Sequence, residues 1–421
     1  MTTVELATTA LAVGGEAIAR EDSGRVVFVA GALPDEVVRA EVVEERKNHA
    51  RAIVVDVLTP SKHRVEPPCG LVAHGCGGCD WQHVAEPSQP LLRRSLISDV
   101  LQRQGKVHNP TVLAGPKLSA DHLRTTVKGV ADSEGRFSLR RRRSHDPIHI
   151  AGCLITHPLV QEIVETSTFA PGANVTIRVG ARTSERLVIV GPSAAGSSVP
   201  SDVLLVGADE LRAGRRAWFH EEVGGRRWRV SAESFFQASA QGADALVSVV
   251  RDYVDRFGSG AGLGIDQESG PGSGSTSAPS TGSGRLVDLC CGVGLFGGVL
   301  GESSSVRQIV GVERSASSVS DARHNLADID ARIIKVAMEK WRPSPAEIVV
   351  ADPARSGLGA SVVKSVGATG ARLCVLVSCD PASLGRDTSL LVDEGFKHKS
   401  STVLDLFGHS SHIEVVSAFE R

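Results

Sequence analysis

Residues 285–298 read RLVDLCCGVGLFGG, and this stretch decides the fold. An aliphatic run, Arg285 to Leu289, stops at a turn in which Gly292, Gly294 and Gly297 keep G-x-G-x-x-G spacing before apolar helical text resumes. Glycines between a strand and a helix permit a tight turn and let a ligand approach the backbone closely. From here to the C-terminus strand and helix patterns alternate: QIVGVE (308–313), ARIIKV (331–336), EIVVADP (347–353) and ARLCVLVSC (371–379) are each followed by helical text. That alternation predicts an α/β domain with a doubly wound, Rossmann-like parallel sheet. Glu313 ends the second strand, 25 residues beyond Asp288, placed to accept a pair of ribose hydroxyls. NAD and S-adenosylmethionine sites share such a loop and acid. Asp288 ahead of the loop favours the methyl donor, and a structural turn or an NAD-dependent oxidoreductase remain alternatives.

Two motifs stand at the ends of later strands, Ala351-Asp352-Pro353-Ala354-Arg355 and Val377-Ser378-Cys379-Asp380-Pro381. In open α/β sheets ligands bind beyond the carboxyl ends of the strands, so Asp352 and Cys379 should face the same crevice as the glycine loop. A cysteine there can serve as a nucleophile, although a lone strand cysteine is more often buried filler. Near the C-terminus HSSHIEVV sets Glu414 as a base, with His412 close by.

Working back toward the N-terminus, residues 1–60 form short β-branched runs punctuated by Gly14, Gly15, Gly24, Gly31 and Pro34, which predicts a small all-β barrel. Residues 61–230 read as a central α+β domain, with strands near TVLAGPKL, FSLRRRR, NVTIRVG, RLVIVG and RWRVSAE and a helix from Gln89 to Gln104. The third unit, 231–421, opens with helical text over 234–257. It is interrupted at 258–284 by Gly, Ser, Pro and Thr, a composition that predicts a flexible insertion.

Eight cysteines fall into two sets. Cys69, Cys76, Cys79 and Cys153 sit in the first half and suit either tetrahedral zinc or a [4Fe–4S] cluster; unpaired buried thiols are the plainer reading. Cys290, Cys291, Cys374 and Cys379 belong to the α/β unit. The N-terminus lacks the basic start and apolar core of a signal peptide, and no run nears the roughly 18 apolar residues of a membrane span. A cytoplasmic, membrane-free protein, monomeric by default, is expected.

The net charge of −2 hides an uneven distribution. Residues 101–230 carry 19 Lys and Arg against 12 Asp and Glu, a net of +7 that leaves −9 for the rest. Arg136, Arg140–Arg143, Arg212, Arg215, Arg216, Arg226, Arg227 and Arg229 supply most of it. Guanidinium forks suit phosphate oxygens, so an RNA-facing centre is one reading and a solvated surface with local acidic partners the other.

Taken in order, FFQ (235–237), DLCCGVG (288–294), DPARSGL (352–358), SCDPASLGRD (378–387) and SSHIEVV (410–416) resemble the RNA uracil-5 methyltransferases. The N-terminal barrel resembles a TRAM domain, an OB-like barrel, and PPC…CGGC…C resembles the iron–sulfur site of that family's ribosomal RNA branch. The resemblance implies Cys379 as nucleophile and Glu414 as general base. It implies that Gln237, Cys290, Gly292, Gly294, Glu313 and Asp352 hold S-adenosylmethionine, and that Cys69, Cys76, Cys79 and Cys153 hold a [4Fe–4S] cluster, with zinc as the alternative. RNA, ribosomal before transfer, is the implied partner.

This chain departs from the family pattern at five places. It reads DPAR where DPPR is usual, SCDP where SCNP is usual, FGHS where FPQT is usual, and has Cys290 and Leu295 where an aromatic residue and Asn are common. A carboxylate at Asp380 is expected to raise the thiol pKa of Cys379, which leaves a catalytically weak RNA-binding protein as a further alternative.

Overall fold

The computed structural model describes residues 2–258, 284–303 and 306–421. The segment read as a flexible insertion lies outside the described residues apart from its two end glycines, Gly258 and Gly284.

The first five strands, β1 (Thr3–Leu11), β2 (Ala17–Arg20), β3 (Val26–Ala30), β4 (Val37–Glu45) and β5 (His49–Thr59), close into a barrel in the order β1-β2-β3-β5-β4. Alternate residues point inward, and the interior is filled by small side chains: Ala17, Ala19, Ala40, Ala50 and Ala52 among Val27, Val29 and Val38. Such side chains fit the narrow interior of a five-stranded barrel.

Helix α1 (Gln89–Arg103) and strand β6 (Val112–Ala114) follow. The run TVLAGPKL, expected as a central-domain strand, instead puts β6 parallel to a strand of the C-terminal sheet, with Val112 opposite Ser401. The central sheet has the order β12-β11-β10-β7-β8-β9. Its strands are β7 (Thr126–Ala131), β8 (Phe137–Arg140), β9 (Pro147–His149), β10 (Asn174–Val179), β11 (Arg186–Gly191) and β12 (Val203–Gly207). Helix α2 (Pro158–Thr166) buries Val160, Ile163 and Val164 against it, and the short α3 (Ala208–Arg212) follows β12. A hairpin, β13 (Trp218–Val223) and β14 (Arg226–Ser231), leads into α4 (Ala240–Gly258). That helix starts at residue 240 rather than 234, because residues 234–239 form a separately anchored loop that carries Gln237.

The C-terminal sheet has eight strands in the order β17-β16-β15-β18-β19-β21-β20-β6. β15 (Arg285–Leu289), β16 (Gln308–Glu313), β17 (Ala331–Lys335), β18 (Ile348–Ala351) and β19 (Leu373–Ser378) are parallel. β21 (Glu414–Glu420) runs antiparallel between β19 and β20 (Lys397–Leu404), so the sheet is mixed rather than wholly parallel. Helices α5 (Leu295–Leu300), α6 (Ala316–Asn325), α7 (Gly359–Ala368) and α8 (Pro381–Asp393) complete the domain.

Strand alternation sorts the sheet into two faces. Val287, Leu289, Val349, Ala351, Cys374, Leu376 and Val415 pack with α1, α7 and α8. Leu286, Val350, Val375, Val377, Val416 and Ala418 pack with α4, α5, α6 and the hairpin's Trp228. No described helix is long and apolar enough to cross a membrane.

Candidate active site

The same period-two rule places the chemistry. Asp288 continues the face of Leu286, Asp352 that of Val350, Cys379 that of Val375 and Val377, and Glu414 that of Val416. Four reactive groups therefore lie on one face at the carboxyl end of the parallel strands. Ser378 pairs with Val415 across β19 and β21, and one step further along that register Cys379 lies opposite Glu414. Leu289 pairs with Ala351 in the same way, which sets Cys290 beside Asp352.

The electrostatics agree with that convergence. Burial pushes the Cys379 thiol up to about 11, with Glu414 and Asp352 adding to the rise and Arg355 opposing it. Glu414 is buried, and its pKa is driven well above the usual carboxylate range by burial and then by Asp352. Burial raises Asp352 to about 7. Arg355, within the DPAR motif but given no role from the sequence, also lies 3.4 Å from Nδ1 of His412. Desolvation and Arg355 hold the His412 ring below its ordinary pKa.

Asp380 behaves differently from expectation. Its carboxylate caps α8, Oδ1 accepting the Ser383 N–H at 2.8 Å. The rise in the Cys379 pKa comes from burial, Glu414 and Asp352 instead. Asp and Asn are equally good N-caps, so SCDP performs the same local task as SCNP. The helix N-terminus just beyond Cys379 also favours a thiolate.

The glycine loop is shaped for a ligand. Gly294, at φ +93°, caps α5, and a side chain there would strike Leu326. Gly292, at φ +55°, faces open space. Cys290 adopts φ +62°, a conformation costly for a residue with a Cβ and typical of functional turns. Glu313 accepts the Gly292 N–H at 3.0 Å and the Ser315 N–H at 2.7 Å, which ties the loop to the acid. Asp288 accepts the Gly297 N–H at 3.0 Å through Oδ2, while its buried Oδ1 has no partner. Burial, with Asp352 and Glu313, raises Asp288 to about 8. Burial first, then Glu313, Asp352, Asp288 and Glu339, pushes Cys290 to about 12. A concentration of carboxyls around one loop suits a cationic ligand bearing sulfonium and ammonium groups and repels a pyrophosphate. The orphaned Asp288 oxygen fits such a ligand.

Gln237 sits half-buried in the 234–239 loop. Asp321 of α6 accepts from Ser231 and from Ser234 at 2.6 Å, and Arg178 of β10 donates to the carbonyls of Ser231, Ala232 and Ser234. Beside this loop a cavity of about 170 Å³ is bounded by Arg124, Ile155, Ala238, Ser239, Phe407 and Gly408. A second cleft, about 330 Å³, is bordered by Arg215, Arg216, Trp218, Arg229, Glu233 and Ser317.

The arginine excess is mostly engaged within the protein. Arg141 donates to the His74 carbonyl, Arg142 to the Cys79 carbonyl at 3.1 Å, and Arg143 pairs with Glu16. Arg136, Arg215, Arg226, Arg227 and Arg229 pair with Asp132, Glu210, Asp328, Glu185 and Asp321. The local-partner reading of those charges is the one the geometry favours.

Cys76 and Cys79 are buried, Cys69 and Cys153 half-buried, and all four are free of disulfides. Burial raises Cys79 to about 11, and Cys153 and Cys76 raise it further; Cys76 is raised by burial and by Cys153 and Cys69. Cys76 Sγ also accepts the Gly78 N–H at 3.5 Å. Four mutually opposed thiols are a donor set that a metal centre would satisfy. Among the described residues, however, no three Cys, His, Asp or Glu side chains are arranged as a ligand group.

Comparison with known proteins agrees with this architecture. The TRAM domain family matches residues 2–55. An RNA methyltransferase of Streptomyces avermitilis is 34% identical, with 97% of this chain and 95% of the relative covered. The 23S rRNA (uracil(1939)-C(5))-methyltransferase RlmD of Chromohalobacter salexigens is 29% identical, with 98% and 88% covered. The crystal structure of a Pyrococcus abyssi tRNA (uracil-54, C5)-methyltransferase in complex with S-adenosyl-L-homocysteine has the same fold, at TM-score 0.69 and 18% identity over 98% of this chain and 99% of that one. With its barrel, its class I methyltransferase sheet and relatives that match along its whole length, the chain belongs to the RNA methyltransferases that carry an N-terminal TRAM domain.

Proposed function

We propose that the protein methylates carbon 5 of a uridine in RNA, with 23S ribosomal RNA as substrate and S-adenosylmethionine as methyl donor. The observation that carries this reading is that Cys379 follows the Ser378–Val415 pair of β19 and β21 directly, which sets it next to Glu414, on the face that Asp288 and Asp352 share. The carboxyls around the glycine loop support a cationic methyl donor over NAD, and Asp380, which caps α8, is not among the groups that raise the Cys379 thiol.

Carbon 5 of uracil is a poor nucleophile. Once its proton has left to solvent, the Cys379 thiolate attacks carbon 6, forming an S–C6 bond and moving the C5–C6 π electrons toward carbon 5 and the O4 oxygen. Bound S-adenosylmethionine supplies an electrophilic methyl group. Glu414 then removes the proton from the methylated carbon 5, the S–C6 bond breaks by β-elimination and the Cys379 thiolate departs. Burial, Glu414 and Asp352 keep the resting Cys379 mostly in its thiol form. Arg355 and the α8 N-terminus favour the reactive thiolate. Glu414, with its raised pKa, is a strong proton acceptor once ionised.

Gln237, Glu313 and the Gly292–Gly294 loop would hold the methyl donor, with Glu313 at its ribose hydroxyls. Flipping the base out of a stack costs about a few kcal/mol, least in looped RNA. Cys69, Cys76, Cys79 and Cys153 are the residues that would hold a [4Fe–4S] cluster, for which about four irons and four sulfides per chain are expected in anaerobically purified protein. Zinc in their place would overturn that assignment.

The reading is tested by incubating RNA from a strain lacking the gene with the protein and deuteromethyl S-adenosylmethionine, followed by nucleoside mass spectrometry. Labelled 5-methyluridine in the 23S fraction is the expected result. Label in another nucleoside would refute it.

A further inference from the structure

The loop between β20 and β21, residues 405–413, has little regular structure of its own. Three distant segments hold it. Asp80 accepts from Ser411 twice, from N–H at 2.7 Å and from Oγ–H at 2.5 Å. The Trp81 N–H donates to the His409 carbonyl at 3.0 Å. Arg93, fully buried and stacked on Trp81, donates to the Ser410 carbonyl at 2.6 Å, the Phe407 carbonyl at 3.2 Å, and Asp405. His409 is kept at φ +60°, its N–H bonded to Gln89 at 3.2 Å. The barrel closes the assembly: a side chain at Gly15 would lie 2.5 Å from both Ser411 and Trp81.

The opposite side of this loop faces the site. His412 meets Arg355, and Glu414 begins β21 three residues beyond Ser411. On the other flank Asp80 follows Cys79 directly, whose carbonyl Arg142 holds at 3.1 Å. A continuous bonded path thus runs from the cysteine segment through Asp80 to the loop that delivers Glu414.

We infer that Asp80 is a positioning residue through which the cysteine segment sets the loop ahead of the catalytic base, and that this is what the cysteines contribute to a reaction that moves no electrons. The inference rests on Glu414 being the proton acceptor. Arg142, by holding the Cys79 carbonyl, fixes the chain at Asp80, and Asp80 then fixes Ser411. Losing this hold loosens the base without touching the nucleophile or the cofactor loop.

Full-length Asp80→Asn and Ser411→Ala test it, with Glu414→Gln as reference. In Asp80→Asn, amide hydrogen exchange over 405–413 is expected to quicken about tenfold while the barrel is unchanged. Formation of the covalent RNA adduct keeps its wild-type rate and its resolution slows about tenfold. Ser411→Ala, which removes only the hydroxyl contact, gives a smaller change that does not add to that of Asp80→Asn. Cys79→Ser is expected to reproduce the faster exchange over 405–413. Wild-type exchange and adduct lifetime in Asp80→Asn, alongside a trapped adduct in Glu414→Gln, would overturn the inference and leave the mechanism standing. Absence of an adduct in Glu414→Gln would overturn the mechanism itself.

Discussion

Glu414→Gln is the most informative single substitution. The amide keeps the size of the carboxyl, and the backbone at 414 stays paired with Leu404 of β20, so the fold should tolerate it. Burial and Asp352 already push Glu414 toward its neutral form, so a neutral amide suits the resting site. What is lost is the capacity to accept the carbon 5 proton. A positioned general base contributes about 10²–10⁴-fold, equivalent to about 3–5 kcal/mol of activation free energy. With end-labelled RNA and labelled methyl donor in single-turnover reactions, denaturing gels should show a methylated protein–RNA adduct that forms at the wild-type rate and resolves that much more slowly. In the wild type, resolution should accelerate as rising pH ionises Glu414, and the variant should lose this dependence. Turnover within tenfold of wild type, or absence of adduct in a variant that still binds RNA and S-adenosylhomocysteine, would refute the assignment.

Cys379→Ala should form no adduct and no product while its affinity for S-adenosylhomocysteine, measured by calorimetry, is unchanged. Asp288 has a native pKa of about 8 against an ordinary 3.8, so the native state binds the extra proton between those values and its stability falls as pH rises through that window. Asp288→Asn should flatten that decline in thermal melts of the ligand-free protein; an unchanged slope would count against the buried-carboxyl picture. Trp218 is exposed, whereas Trp81, Trp228 and Trp341 are buried, and it borders the cleft with Arg215 and Arg216. RNA binding should quench its fluorescence and Trp218→Phe should abolish that signal; quenching that survives the substitution would place the RNA elsewhere.

The parallel sheet was legible because strands buried on both faces must be apolar throughout, as IVVA (348–351) and LCVLVS (373–378) are. Their positions at strand ends set Asp352 and Cys379 in the crevice of the glycine loop, whereas the single face shared by Asp288, Asp352, Cys379 and Glu414 follows from the strand register. Other features depend on contacts that sequence spacing does not encode. Asp80 meets Ser411 and Arg93 meets Asp405 across hundreds of residues. The arginine run at 140–143 suggested phosphate, yet Arg141 and Arg142 serve carbonyls of the cysteine segment. Asp380 drew attention as a charge beside a thiol, whereas its position immediately before Pro381 and three residues before Ser383 marks a helix cap. β6 was misplaced because a three-residue strand does not reveal the sheet it will join.

The account turns on a bond to carbon 5 being broken as a methyl group arrives there. RNA carrying tritium at carbon 5 of its uridines, incubated with the protein and S-adenosylmethionine, should release one tritium to water for each methyl group incorporated. Methyl incorporation without tritium release would contradict the account.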